Sequence, residues 1–544
     1  MDMRLSRRSV LHAGLGIAAG AALGGSLTAC GDGGAGVLPP AAGRTVLPDY
    51  VPYTAVTPDF PGTEQGVLNG FYHYPATPVR AFPDGPPAEG DPFRFMTIIY
   101  NPVPPPVSRN RLWQELNAYL GADLQLEIVP STDYVTKFSL TIAGGDLPDG
   151  MLVRPEAPQK PGLLSALCED LTPYLSGSAV RRYPYLANLP TMSWRNCVLN
   201  GRIYGVPMPR LNSGSAMFYR ADFLAARSLN PEPANFAEFL QLCRDLTDPS
   251  QTRYACGDPL TTFYFVMEML GSPKDWREEN GRFTWYLEDT DRVRQGLDAM
   301  RQLVRAGVMH PDGFSTTGRF KDWFGNGQIA INYDGATAWN DYYRSYRSAS
   351  PDLRVGAMVA PGFDGGPGVH WAGPSSFSMF SLKKAAPARI EQLLRALDAL
   401  ATPFGTDGYL LRKFGVPGHD FDFRESDPIL NRTGTTENTL PAMFATDAPQ
   451  VLYYPDDPSV VPEQYAWQQK AVSVLISDAA EGLYSAADAA RGGPNRDLMF
   501  QTLRSYMQER NTWDDVLAGI NRWRTVVGDQ SRVEYEQAWQ QWAV

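Results

Sequence analysis

These 544 residues lack the short motifs on which most covalent chemistry would depend. No lysine follows a glycine anywhere, so there is no phosphate-cradling loop. Gly-x-Ser-x-Gly and His-Glu-x-x-His are absent too, which removes two common hydrolase signatures. One Gly-x-Gly-x-x-Gly occurs, at Gly31 to Gly36, but no strand precedes it and it reads as chance. Only five His and five Cys are present, the His are scattered and no spacing is Cys-x-x-Cys, so neither a metal centre nor a cofactor is expected. Basic charge is also scarce, with 48 Lys and Arg against 59 Asp and Glu and a net charge of −11, which argues against a nucleic-acid partner. Carboxylate pairs suited to glycoside hydrolysis are inevitable among so many acids, so their presence decides nothing. Asp420, Asp422, Glu425 and Asp427 make one carboxylate-rich stretch. Alternation with Phe421 and Phe423 reads as a half-exposed strand, with calcium left open as the alternative.

What is present begins with an address. Arg4, Arg7 and Arg8 precede an apolar run from Val10 to Leu27 that is rich in small residues. Ser6-Arg7-Arg8-Ser9-Val10-Leu11 resembles a twin-arginine export signal, and Leu27-Thr28-Ala29-Cys30 resembles the bacterial lipobox. That resemblance implies acylation of Cys30 and anchorage at the outer face of the cell membrane, where two or more acyl chains hold durably. Loss of Met1 to Ala29, with three Arg and one Asp, leaves the chain still more acidic. Export permits disulfides, but Cys168, Cys197, Cys243 and Cys256 are too few for a disulfide scaffold in so long a chain. Cys243 and Cys256 are the nearer pair in sequence, and the disulfide state stays open.

Residues 30–92 carry twelve Pro between Gly31 and Pro92 with little periodicity, a composition that predicts an extended tether. Regular alternation then starts. Arg94–Tyr100 reads as a buried strand, Asn110–Leu120 as a helix, Leu124–Val129 as a strand, Ser131 or Thr132 to Ile142 as a capped helix and Gly150–Val153 as a third strand. That order predicts a parallel sheet. Ligands of such sheets lie beyond the carboxyl ends of the strands. The length beyond the tether exceeds what one hydrophobic core usually serves, which predicts two lobes.

From Gly201 the chain runs GRIYGVPMPRLNSGSAMFYRADFLAARSL, then FGNGQIAINYDGATAWNDY, VGAMVAPGFDGG, SSFSMFSLKKAAPARIEQLLRALDAL and FGVPGHDFDF. These segments, with GGDLPD and the terminal EYEQAWQQW, resemble extracellular solute-binding proteins of family 1, the maltodextrin-binding type. They look most like the lipoproteins associated with import of polysaccharide fragments and aldouronates. The resemblance implies a two-lobed α/β fold of the class II periplasmic-binding-protein kind, hinged about a central cleft. It divides the chain into 93–210 and 371–430 for the first lobe, 211–370 for the second, and a helical part at 431–544 mainly on the second. Crossings are expected near Pro207–Ser213, near Trp371–Ser375 and again after Leu430. The implied function is carbohydrate capture by a monomer for ABC permease subunits, without catalysis. An extracytoplasmic carbohydrate-active enzyme, or a sensor subunit presenting its ligand, is the alternative.

A sugar offers apolar C–H faces between hydroxyls, so its site needs aromatic platforms rimmed by hydrogen-bonding groups. Twelve Trp and 26 Tyr supply them in excess. Trp339, a few residues after the strand Gln328–Tyr333, and Trp371, at the second crossing, are the first candidates. Asp334 can accept hydroxyls or cap the following helix. Tyr100 and Asn101 end the first strand, and Asp133 and Tyr134 follow the second. Arg210, after the first crossing, can pair with a uronic carboxylate in bidentate fashion or enter an ordinary salt bridge. Trp276 and Trp285 flank an Asn280-Gly281 turn and are expected to pack on the hairpin, while Phe263, Tyr264, Phe265, Met267 and Met269 read as buried helix.

Overall fold

A computed structural model describes residues 46–315 and 318–543. The export signal, Cys30 and the Gly31–Gly36 run lie outside the described residues. Within them, no helix is long and apolar enough to cross a membrane.

Alternation opens with β1 (Phe93–Ile99), buried at every position but Arg94, a pattern that demands cover on both faces. In α1 (Arg111–Leu120), Asn110 caps the start by accepting the Trp113 N–H at 2.8 Å. The helix stops at Gly121 and buries Leu112, Trp113, Leu116 and Leu120 on the sheet. Then come β2 (Leu124–Pro130), α2 (Tyr134–Gly144), β3 (Gly150–Val153) and, after short helices, β4 (Val206–Pro209). A second sheet takes β5 (Ser215–Arg220), β6 (Tyr254–Cys256), β7 (Ile329–Gly335) and β8 (Val355–Met358). Among its helices are α3 (Pro259–Met269) and α4 (Ala338–Tyr346). The chain returns to the first sheet as β9 (Ser376–Leu382) and later forms α5 (Val460–Ser473).

Strand order is β2-β1-β3-β9-β4 in the first sheet and β8-β5-β7-β6 in the second. The expected parallel pairing holds for β1 with β2 and β3. It fails at β9, which arrives from the other lobe and runs antiparallel to both β3 and β4. Each sheet has its own core. Phe95, Ile98, Leu116, Leu152 and Phe380 centre the first lobe, while Phe239, Phe263, Trp285 and Leu297 serve the second. Met499, Leu503, Ile520 and Trp523 of the C-terminal helices join the second core. The hairpin turn at Asn280 and Gly281 has positive φ at both residues, and Trp285 stacks on Trp523 at 3.5 Å. Cys168, Cys197, Cys243 and Cys256 are buried free thiols.

The first passage between sheets, from β4 to β5, lies beside the passage leading into β9. The Arg210 N–H donates to the Ser375 carbonyl, and the Gly373 N–H to that of Asn212, both at 2.9 Å. Gly214 has φ +61, and a Cβ there would meet the Gly373 nitrogen at 2.5 Å, so only glycine lets the two passages touch. A third passage leads from a short helix at Pro441–Phe444 toward α5.

The tether reading requires correction over residues 46–92, which pack along the body. Val46 enters the first-lobe core. Gly70 pairs with Leu452, and the Leu68 N–H donates to Gln468 Oε1 of α5 at 2.9 Å. Phe71 and Tyr74 form a separate core with Phe404, Phe421 and Tyr453. The strap has no periodicity because it makes no regular element of its own, and it contributes isolated apolar side chains to surfaces built by others. Tyr74 is 1% exposed and its hydroxyl donates to the Thr406 carbonyl at 2.6 Å. Tyr74→Ala should therefore cost about 3–5 kcal/mol in denaturant unfolding. A loss below about 1 kcal/mol would mark the segment as a loose tether after all.

Candidate functional site

Three adjoining cavities run along the passages between the sheets. The first, of about 470 Å³, is lined by Arg210, Tyr264, Tyr333, Asp334 and Trp371 among others. A second, of about 380 Å³, shares Leu211 and Thr337 with it and adds Trp339, Gln450 and Trp467. The third, of about 780 Å³, shares Asn340, Arg344, Tyr409, Lys413 and Met443 with the second and reaches Asn101. Each shares lining residues with the next, and together they make one groove.

Strand ends and passages place these side chains. Tyr333 and Asp334 are near the carboxyl end of β7, where topology directs ligands. Asp334 accepts the Tyr342 hydroxyl at 3.0 Å and the N–H of its own neighbour Gly335 at 2.7 Å. It does not cap α4, whose preceding residue is Thr337.

Trp371 belongs to the passage into β9. Its backbone N–H donates to Glu268 Oε1 at 2.7 Å and its indole N–H to the Ser272 carbonyl at 2.8 Å. Tyr264 and Tyr286 flank the ring at 5.7 and 5.8 Å. Only 7% of Trp371 is exposed, so it offers the groove little of its ring.

Trp339, which lines the second cavity, is likewise almost wholly buried. It is 3% exposed, edge-on to Phe218 at 5.6 Å, because α4 turns that side chain onto β5. Its indole nitrogen has no hydrogen-bond partner, and neither do Trp467 Nε1 and Gln450 Oε1 in the same cavity. Three orphaned polar atoms around one hollow are costly unless water or ligand hydroxyls complete them.

On the first lobe, Tyr100 is 56% exposed and packs on Phe377 and Phe444. Its hydroxyl accepts from Arg154 at 3.3 Å. Phe377, which sequence reasoning passed over, holds two cations: Arg210 at 4.6 Å and Arg154 at 5.5 Å from the ring centre. Arg154 also pairs with Glu156 at 2.5 Å. Arg210 has neither an ion pair nor a side-chain hydrogen bond among the described residues, and its Nε is buried without a partner. Burial lowers its pKa from the usual range, and the nearby Tyr100 hydroxyl works the other way.

The pair expected after the second strand is not part of the groove. Tyr134 is 1% exposed and donates its hydroxyl to the Leu152 carbonyl at 2.7 Å, fully inside the first-lobe core. Asp133 is exposed before α2, accepts the Thr132 hydroxyl at 3.2 Å and lines none of the three cavities. Tyr264 and Tyr333 were the residues missed; Tyr286 also lines the first cavity but is only 3% exposed. An apolar helix pattern hides Tyr264, and only the strand-end position of Tyr333 would have marked it.

Residues 106–403 match the family model of the bacterial extracellular solute-binding protein. The chain belongs to this family. The polygalacturonan/rhamnogalacturonan-binding protein YtcQ of Bacillus subtilis (strain 168) is 23% identical over 471 residues, covering 82% of this chain and 91% of that protein. Among solved structures, the alginate-binding protein AlgQ2 superposes with a TM-score of 0.61 at 16% identity, over 85% of this chain and all of that one. An HMO-binding solute-binding protein of Bifidobacterium longum infantis gives 0.62 at 14%, covering 83% and 99%. At such identities these structures speak for the fold, the two-lobed α/β architecture of periplasmic-type binding proteins.

Behind the groove of this solute-binding protein lies an uncharged link. Burial raises Glu268 to about 8, against hydrogen bonds from the Trp371 N–H and the Tyr333 hydroxyl that favour its charged form. Burial lowers His370 to about 4, with its Nε2 2.7 Å from the Ser213 carbonyl. Folding therefore favours protonated Glu268, a contribution complete below its ordinary value and lost as pH rises through about 8. Glu268→Gln keeps the shape without the charge. It should flatten the fall of the thermal midpoint between about pH 5 and 8, whereas a decline as steep as that of the parent would contradict the assignment.

Proposed function

We propose that this protein captures an acidic oligosaccharide in the groove and hands it to the permease subunits of an ABC importer. The observation that carries the reading is Arg210. A guanidinium half-stripped of water and lacking a carboxylate partner is unfavourable unless a ligand supplies the anion. Arginine's planar fork suits a uronate carboxylate, and the flanking half-buried Tyr264 and Tyr333 suit its ring. The polygalacturonan-binding relative supports the same ligand class. Asp334, Asn101 and Tyr100 complete the reading as hydroxyl partners on the two walls, and a ligand that touches both walls favours the closed lobes.

The protein acts as a monomer at the outer membrane face, held through Cys30. Binding without turnover is the expected mode, so incubation with its ligand releases no new reducing ends.

Calorimetry with oligogalacturonides and neutral oligosaccharides of equal length tests the site. Arg210→Ala should weaken acidic-ligand binding by roughly 10- to 100-fold and leave the thermal midpoint unchanged or higher, since an unpaired charge is removed. Equal losses for neutral and acidic sugars, or none, would count against it. Cys30→Ser should move the protein from the membrane fraction to the medium, and persistent membrane association of that variant would exclude the anchor.

A further inference from the structure

We propose that His419 Nε2, Asp420 Oδ1 and Glu437 Oε1 form a site for one divalent transition-metal ion, with zinc the best match to this donor set. The three atoms lie within 4.8 Å of one another, with Nε2 3.2 Å from Glu437 Oε1 and 3.9 Å from Asp420 Oδ1. Ligands on a tetrahedral zinc with bonds of about 2.0–2.1 Å stand roughly 3.3 Å apart, so small adjustments suffice.

Asp420 is the independent sign. Its side chain is fully buried, Oδ2 accepts the Val416 N–H at 2.7 Å, and Oδ1 has no hydrogen-bond partner. A buried carboxylate oxygen left this way requires a counterpart, and an ion between it and the imidazole provides one. The carboxylate is also held firmly. A Cβ on Gly415 would meet Asp420 Oδ2 at 2.3 Å, and one on Gly434 would meet the Asp420 carbonyl oxygen at 2.0 Å.

Glu437 has a single oxygen to give. Its Oε2 already accepts the N–H groups of Arg111 and Leu112, at 2.8 and 3.2 Å, where α1 begins. Asn431 steadies His419 by donating to its carbonyl at 2.9 Å. His419 is about one-third exposed, which leaves a fourth position open to water.

An imidazole among only three donors selects a first-row metal over calcium, which takes six to eight oxygens. The calcium alternative at residues 420–427 is unsupported for the same reason. Asp427 is occupied elsewhere, with Oδ1 accepting the Tyr74 N–H and the Tyr453 hydroxyl and Oδ2 facing His73 Nδ1. An ion here would tie the hairpin of Phe421–Arg424 and Asp427–Leu430 and the helix Arg432–Glu437 to the start of α1. Leu112, Leu430 and Asn438 of those segments line the third cavity, so the metal would stiffen one wall of the groove.

The test is calorimetry and thermal unfolding of the metal-stripped full chain with zinc, manganese or calcium chloride. The expected result is uptake of one zinc, a midpoint raised by about 3 °C at saturation, and weaker or no response to calcium. His419→Ala should remove the uptake while keeping the parent's circular dichroism, and Asp420→Asn should do the same. Absence of zinc uptake by the parent, preference for calcium, or undiminished uptake by His419→Ala would each overturn the proposal.

Discussion

The backbone contact between two passages of chain, at Gly214 and Gly373, is the constraint on which the groove depends. Each passage links one sheet to the other, and their hydrogen bonds hold them as a narrow ribbon. A Cβ on Gly373 would fall 2.6 Å from the Gly214 Cα, so the approach tolerates no side chain on either strand. Because the ribbon is that close, residues distant in sequence converge. Arg210, Trp371 and the β7 terminus at Asp334 line one cavity though 161 and 124 residues of chain separate them, and Ala336 is tied to the same ribbon by donating its N–H to the Gly214 carbonyl at 2.9 Å.

Electrostatics divides along this ribbon. Behind it, His370 and Glu268 are buried deeply enough to be neutral near pH 7, so the link from Ser213 to Trp371 survives without bringing net charge into the interior. In front of it, Arg210 keeps its charge and lacks a carboxylate. Charge is thus withheld where the passages must pack and presented where a ligand can reach it. In a chain with a net charge of −11, Arg210 is the group through which the proposed anionic ligand would be held.

The opening strands and helices of the first lobe were largely legible in the sequence because hydrophobic periodicity and glycine stops act locally, whereas the antiparallel return of β9 was not. β1, α1, β2 and β3 fall where alternation and the Asn110 cap place them. Arg210 was legible from its position after a passage, but its lack of a partner was not, since that depends on what every other chain segment does. Aromatic residues misled for a similar reason. Tyr134 carries the right chemistry but lies in the first-lobe core, and Trp339 and Trp371 border cavities with almost all of their surface buried; composition does not encode that facing. The strap at 46–92 was hidden because its anchors, Val46, Phe71 and Tyr74, follow no period.

The central claim is that a carboxylate completes Arg210 between two hinged walls. A crystal structure of the protein with an oligogalacturonide bound tests this most directly. The account predicts a sugar carboxylate within hydrogen-bonding distance of the Arg210 guanidinium, with rings lying along Tyr264 and Tyr333 and the walls drawn together. Sugar bound elsewhere on the surface, or in the groove with Arg210 facing only solvent, would contradict it.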